Sequence, residues 1–254
     1  MSNLAVSVRE LEKSYKNVPV LKGVDFEVKK GSVFALLGSN GAGKTTIIKI
    51  LTTLLQADKG EIEVCGVNLQ TNPGQVREKI SLTGQNVAVD DILTGRENLD
   101  LVAKLRHLPD RKKAVEESLR RFDLLEAGDR ALATYSGGMK RRLDLAMTVL
   151  GSPELVFLDE PSVGLDPEAR LALWDVIRGM VKAGITIFLT TQYLEEAEQL
   201  ADCIAILHEG KILVQGTMDE LKTILPAKKV EYVEKQPTLE EIFLAVTAKK
   251  GVLL

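Results

Sequence analysis

The stretch VFALLGSNGAGKTTIIKILTTLL, residues 33–55, decides the fold. Its first part, VFALLG (33–38), is a short continuous apolar run, the pattern of a parallel strand covered on both faces. From Lys44 onward, TTIIKILTTLL places its apolar residues at helical spacing. Between the two, GSNGAGKT (Gly38 to Thr45) fits G-x-x-x-x-G-K-[ST], in the strand-then-helix setting that this motif needs. Gly38, Gly41 and Gly43 let the backbone turn with its N–H groups inward, and Ser39, Asn40 and Ala42 complete the loop. The helix start adds positive potential, so phosphate oxygens meet several fixed donors. In this pattern Lys44 reaches the β- and γ-phosphates and the Thr45 hydroxyl ligates magnesium. The loop reads as a nucleotide site.

Outward from the loop, residues 4–9 and 24–28 alternate as strands, with VKKGS (28–32) as a turn. EIEVCG, ISLTG, LVFLD (155–159) and ITIFLT read as further strands. The charged region 95–127 carries Leu99, Val102, Leu105, Val115, Leu119 and Phe122, which predicts a helical insert. One helix is expected after SGG (136–138), another from Pro167 to Lys182, and a last one at TLEEIFLAVT beyond the charged link 223–237. Strands alternating with helices predict an α/β core with a parallel sheet.

The 254 residues are enough to bury a substantial core, and 45% hydrophobic with 27% charged residues is ordinary for a globular protein. A net charge of −3, without a basic tract interleaved with aromatics, argues against a nucleic-acid partner. Cys65 and Cys203 lie far apart and suit buried thiols in a reducing compartment better than a disulfide or metal site. With only His107 and His208, a histidine-rich metal cluster is excluded. MSNLAVSVREL has no signal-peptide pattern, and no apolar run approaches the roughly 20 residues that span a bilayer. These features predict a cytosolic chain.

A second chemical site is expected at LVFLDEP, where Asp159 and Glu160 end an apolar strand. One carboxylate suits holding magnesium through water, and the next suits activating an attacking water as general base. YSGGMKRRLDLA (135–146) opens a helix with Ser136, Gly137 and Gly138, an arrangement able to meet an anion or simply to cap the helix. Taken in order, GSNGAGKT, Gln85 in LTGQN, YSGGM, LVFLDEP, SVGLDP and the strand end LTTQ resemble the ATP-binding cassette (ABC) ATPases. The resemblance covers nearly all of residues 4–216.

That resemblance implies a P-loop NTPase (RecA-like) core with an N-terminal antiparallel β subdomain and a helical signature subdomain at about 86–150. The ATPase domain would span 1–222, with 223–254 a short extension ending in a helix. It implies two subunits paired head to tail around two ATP molecules. Tyr15 would stack on adenine. Lys44, Thr45 and Thr46 would hold phosphates and magnesium, Gln85 would sense magnesium and the water, Asp159 would position magnesium, and Glu160 would be the base. Ser136, Gly137, Gly138 and Met139 would serve the opposite subunit's nucleotide, and Asp166 would couple across the dimer.

The chain departs from the common pattern at Gln192, where most members carry histidine against the γ-phosphate. Its amide still donates a hydrogen bond. YSGGMKRRLDLA, TTQYLEEAEQLAD and PTLEEIFLAVT together resemble the daunorubicin-resistance type of exporter ATPases, in which glutamine is usual. Only residues 223–236 stand where that subgroup usually has a longer accessory domain. The resemblance implies an ATP-hydrolysing exporter subunit that uses ATP and Mg2+ and works as an ATP-dependent homodimer. A separate integral membrane permease would hold it at the inner face of the membrane, with a drug-like or amphipathic substrate. A non-transport ABC ATPase and a low-turnover nucleotide-dependent regulator are the alternatives. His208 in HEGK is expected at a hairpin turn, His107 on the surface, Trp174 in packing, and Arg111–Lys113 at a solvated helix start.

Overall fold

The computed structural model describes residues 3–84 and 88–224. β1 (Leu4–Tyr15) and β2 (Val18–Lys29) form a long hairpin, and β3 (Val33–Leu37) leads through the glycine loop into α1 (Lys44–Leu51). A second hairpin, β4 (Lys59–Val64) and β5 (Val67–Asn68), precedes α2 (Pro73–Lys79) and β6 (Ile80–Thr83). Then come α3 (Gly95–Leu105), α4 (Arg111–Arg121) and α5 (Gly137–Val149). The chain next alternates β7 (Leu155–Asp159), α6 (Pro167–Lys182), β8 (Thr186–Thr191), α7 (Leu194–Leu200) and β9 (Cys203–His208). β10 (Lys211–Gly216) and α8 (Met218–Lys222) follow.

The six-stranded sheet runs β10-β9-β3-β8-β7-β6, parallel except for the antiparallel edge pair β9–β10. Every residue of β3, β7 and β8 is buried, which is why these segments read as unbroken apolar runs. Alternate side chains still go to opposite faces. Ala35, Val156, Leu158, Ile187 and Leu189 join the core built with the helices α3 to α7. Phe34, Leu36, Phe157 and Phe188 join the other core, with α1 and the antiparallel sheet β2-β1-β4-β5. Phe26 of β2 meets Phe34 and Phe188, and Phe188 also meets Phe34 and Phe157, with ring centroids 5.1 to 5.8 Å apart. The expected architecture is therefore present: an α/β core, an antiparallel β layer on one face and helices on the other.

Each antiparallel hairpin closes with two residues. Lys16–Asn17, Cys65–Gly66 and Glu209–Gly210 all have both central φ positive, as a type I′ turn requires. His208 stands beside the last of these turns, where the HEGK signal placed it. β1 and β2 run farther than their alternation predicted. At Glu10 (φ 49) the strand bulges, its N–H donating to Asp25 Oδ1 at 2.8 Å, and the register shifts between Val8 and Leu11. The bulge breaks the period-two signal without ending the strand. α1 stops at Leu51, earlier than its apolar spacing suggested. The Thr52 hydroxyl donates back to Ile48 O at 2.7 Å, and Thr53 turns left-handed at φ 64. The charged insert is helical as predicted, in two pieces: α3 starts with a capping box between Thr94 and Glu97, and α4 is capped by Asp110.

Candidate functional site

The glycine loop joins the end of β3 to α1 and is tied to its neighbours through the backbone. Gly38 N–H donates to Thr191 O at the end of β8, and Gly210 N–H donates to Ala42 O. Gly41 and Gly43 have φ of 81 and 114, and a Cβ at Gly43 would lie 2.7 Å from Leu21 Cδ2. A Cβ at Gly38 would lie 2.6 Å from Leu207 O, so the loop is also closed to side chains from below. Lys44, only 4% exposed, turns back over the loop. Its Nζ donates to Gly38 O at 2.8 Å and to Ser39 O at 3.2 Å. It stands 3.2 Å from Glu160 Oε1.

A cleft of about 270 Å³ opens over this loop and gathers Tyr15, Asn40, Lys44, Thr45, Thr46 and Glu160. Gly41, Gly43 and Val20 complete its wall. Tyr15 is the last residue of β1 and is 43% exposed, so the antiparallel layer supplies the aromatic edge of the cleft. The structure thus brings together most of the sequence-predicted phosphate residues and the predicted base.

Glu160 reaches the cleft because β7 lies beside β8, which lies beside β3; Asp159, buried at the end of β7, stands next to it without lining the cleft. Thr190 Oγ1 donates to Asp159 Oδ1 at 2.6 Å, and Glu160 N–H is 3.1 Å from both the carbonyl and the hydroxyl oxygen of Thr190. Glu160 has φ 48, a left-handed conformation that costs a non-glycine residue about 1 kcal/mol or more. The Thr190 contacts hold that bend, which turns the Glu160 carboxylate toward Lys44. Nothing in the primary sequence singles out Thr190. The only hint is a threonine pair ending an otherwise apolar strand.

Gln192 follows β8 directly and is exposed. It does not line the cleft; it lies beside Thr191, whose carbonyl anchors Gly38. Gln85 lies outside the described residues, but its flanks are held by a buried pair on α5. Arg141 Nη1 donates to Gly84 O at 3.1 Å and pairs with Asp144 Oδ2 at 3.0 Å, while Ala88 N–H donates to Asp144 Oδ1 at 3.3 Å. Burial pushes the Arg141 pKa down and that of Asp144 up, against their mutual attraction. A charged pair three residues apart on a helix is ordinarily a solvated stripe, so this clamp was not legible in KRRLDLA.

The remaining predicted residues meet elsewhere. A groove of about 520 Å³ is lined by Ser136, Gly137, Gly138, Met139 and Asp166, between the N-termini of α5 and α6. Ser136 Oγ accepts from Met139 N–H at 3.2 Å, and Asp166 Oδ1 accepts from Ala169 N–H at 2.8 Å. Both side chains act here as helix caps. No residue of the glycine loop lines this groove. Trp174 is buried in the helical core, whereas His107 and Arg111–Lys113 are exposed, as expected. Both cysteines are free thiols; Cys65 is buried and Cys203 only partly so. Among the described residues no helix is long and apolar enough to cross a membrane.

A glycine loop on a strand–helix joint, acids at the end of a nearby parallel strand and an antiparallel layer over the loop define an ATP-binding cassette domain of the P-loop class. Residues 21–163 match the family described as ABC transporter, and the chain belongs to that family. It is 45% identical over 238 residues to the daunorubicin resistance ATP-binding protein DrrA3 of Streptomyces coeruleorubidus, covering 93% of this chain and 75% of that one. It is 45% identical over 224 residues to the doxorubicin resistance ATP-binding protein DrrA of Mycobacterium tuberculosis (strain ATCC 25618 / H37Rv), covering 87% and 68%. Among solved structures it resembles one described as the ATP binding subunit of an ABC transporter, with TM-score 0.77 and 30% identity over 96% of this chain and 99% of that one.

Proposed function

We propose that the chain is the ATP-binding and ATP-hydrolysing subunit of an ABC exporter, and that it drives efflux of a drug-like or amphipathic substrate through a separate permease. The observation that carries the hydrolytic reading is the meeting of Lys44 and Glu160, 3.2 Å apart, in the cleft over the glycine loop. The exporter reading is supported by the resistance proteins to which the chain is 45% identical. Residues 1–222 would form the ATPase domain and 223–254 its extension.

The loop N–H groups and the start of α1 receive the phosphates, and Tyr15 offers a face for the adenine ring. Phosphate oxygens then compete with the Gly38 and Ser39 carbonyls for the Lys44 ammonium, which loosens its hold on Glu160. Glu160, held in its bend by Thr190, accepts the proton of the attacking water. Thr45 and Asp159 offer hard oxygen donors, and no group of three or more acidic, histidine or cysteine side chains that could hold a metal occurs among the described residues. This donor set fits magnesium, which takes most of its ligands from phosphate and water. When bound, the metal would neutralise charge on the transferred phosphoryl group.

Ser136 to Met139 would complete this site on a second copy of the chain, with Asp166 coupling the two sites and Gln85 and Gln192 beside the attacking water. Contacts made only when both halves meet would shift the population toward a closed dimer, and hydrolysis would release it. The permease would hold the subunit at the inner face of the membrane.

Purified chain should release phosphate in a magnesium-dependent way. Glu160→Gln should retain ATP and lose turnover by about 10²- to 10⁴-fold, the usual worth of a general base. Turnover at the parent rate would rule out Glu160 as base. An integral membrane protein should co-purify with the tagged chain; a soluble ribosome or DNA complex instead would rule out the transport reading.

A further inference from the structure

Glu196, in the first turn of α7, has no exposed surface at all. Its Oε1 accepts from Trp174 Nε1 on α6 at 3.3 Å. Burial raises its pKa, while the hydroxyls of Thr191 and Ser162, the Trp174 indole and the charge of Arg170 favour its ionised form. The charge of Arg141 on α5 also lies within its electrostatic reach. Yet Glu196 Oε2 and Ser162 Oγ, both buried, close no hydrogen bond among the described residues. An under-satisfied carboxylate and an under-satisfied hydroxyl side by side are costly to bury.

The elements around this carboxylate belong to the hydrolytic site. Thr191 ends β8, anchors Gly38 through its carbonyl and precedes Gln192. Ser162 lies two residues after Glu160, in the loop that runs on to Asp166. Trp174 sits on α6, the helix that Asp166 caps, with the Arg170 guanidinium 5.6 Å from its ring centroid. One buried group therefore holds α6 through Trp174 and lies within electrostatic reach of the strand end beside the phosphate loop and of the loop that carries the base.

We propose that Glu196 is a positioning residue that sets the loop after Glu160 against the end of β8 and passes that setting to α6 through Trp174. The inference rests on the reading of Glu160 as the base. Glu196 itself touches no reacting atom.

Trp174 is the only tryptophan of the chain, so its fluorescence reports this contact directly. Magnesium-ATP added to Glu160→Gln should change the Trp174 emission, and the change should vanish in the Glu160→Gln/Glu196→Ala double variant. In the otherwise native chain, Glu196→Ala should lower kcat about tenfold or more with KM for ATP within about twofold, the pattern of an interaction realised beyond the ground state. Glu196→Gln keeps an acceptor for the indole and gains a donor for Ser162, and should stay within about threefold of the parent kcat. Should Glu196→Ala fail to fold, Ser162→Ala carries the same test, with an expected fall in kcat of about threefold or more for one lost polar contact. Parent-level kcat in Glu196→Ala, or in Ser162→Ala where the first variant does not fold, overturns the proposal, as does an emission indifferent to ATP. Hydrolysis by Glu160→Gln at the parent rate overturns the base assignment instead, so the two failures are distinguishable.

Discussion

The glycine-loop cleft and the Ser136 groove are both built at helix N-termini with glycines, yet they are chemically unlike. The cleft has an ammonium, a carboxylate 3.2 Å from it and an aromatic edge in one place. The groove has backbone N–H groups, two side chains already engaged as helix caps and the charged Arg141, Arg142 and Glu168 on its wall. Of the two, only the cleft joins an ammonium and a carboxylate over the glycine loop. The difference is what the proposed pairing of two copies would use: the groove of one copy would enclose the cleft of the other.

The harshest way to break this contrast is to empty the cleft of its cation. Lys44→Ala should abolish phosphate release by about 10²- to 10³-fold, since a preorganised charge aimed at developing negative charge is worth that much. Nucleotide affinity measured by filter binding or calorimetry should fall as well. An enzyme that keeps its turnover without Lys44 would mean that the cleft is not the reaction site.

The next prediction separates one chain from two. Gly138→Asp places a carboxylate in the groove, its Cβ about 3.3 Å from Ala169 Cβ, and leaves the cleft untouched. Alone, each of Gly138→Asp and Lys44→Ala should be inactive. Mixed in equal amounts and allowed to exchange, they should recover about a quarter of the parent rate, because half of the dimers carry one undamaged composite site. A mixture as inactive as its parts would show that each site is completed within a single chain.

What the primary sequence disclosed of these two regions follows from how local their chemistry is. GSNGAGKT carries its strand, turn and helix signals within one segment, so the cleft's floor and Lys44 were legible. LVFLDEP and SGG were legible as strand end and helix start for the same reason. Thr190, Glu196 and the Arg141–Asp144 clamp were not, because each is defined by burial against segments far away in sequence. The 3.2 Å approach of Lys44 to Glu160 depends on the strand order β3-β8-β7, which no periodicity encodes. β1 beyond its bulge was hidden for the opposite reason, a local irregularity inside a continuous strand. The predicted final helix at TLEEIFLAVT lies outside the described residues.

A milder perturbation tests the strand-end glutamine. Gln192 is exposed beside the cleft, with a neutral amide. Gln192→Ala should cost about tenfold in turnover, the worth of one hydrogen bond to a charged group, and about threefold or less in ATP affinity. No loss of activity between pH 6 and 7 should arise at this position in the parent, whereas Gln192→His should introduce an imidazole that titrates there. Equal losses of affinity and turnover would reduce Gln192 to packing.

The last prediction lies away from both regions, leaves activity unchanged and serves as their control. Cys65 occupies the turn between β4 and β5 and is 6% exposed, and burial pushes its thiol up to about 11 from 9.0. The folded state therefore binds the thiol proton more tightly than the unfolded state. This stabilisation is complete below about pH 9 and is lost as pH rises through the folded value. By linkage, unfolding free energy should fall by about 1 kcal/mol at pH 10 and about 2 kcal/mol at pH 11 relative to a chain without the thiol. Urea unfolding of the parent and of Cys65→Ala at pH 8, 10 and 11 isolates the term, because every other titrating group is common to both. The gap in stability between them should narrow by those amounts as pH rises, with phosphate release at pH 7.5 unchanged. A pH-independent gap would mean that the thiol ionises in the folded chain as readily as in the unfolded one.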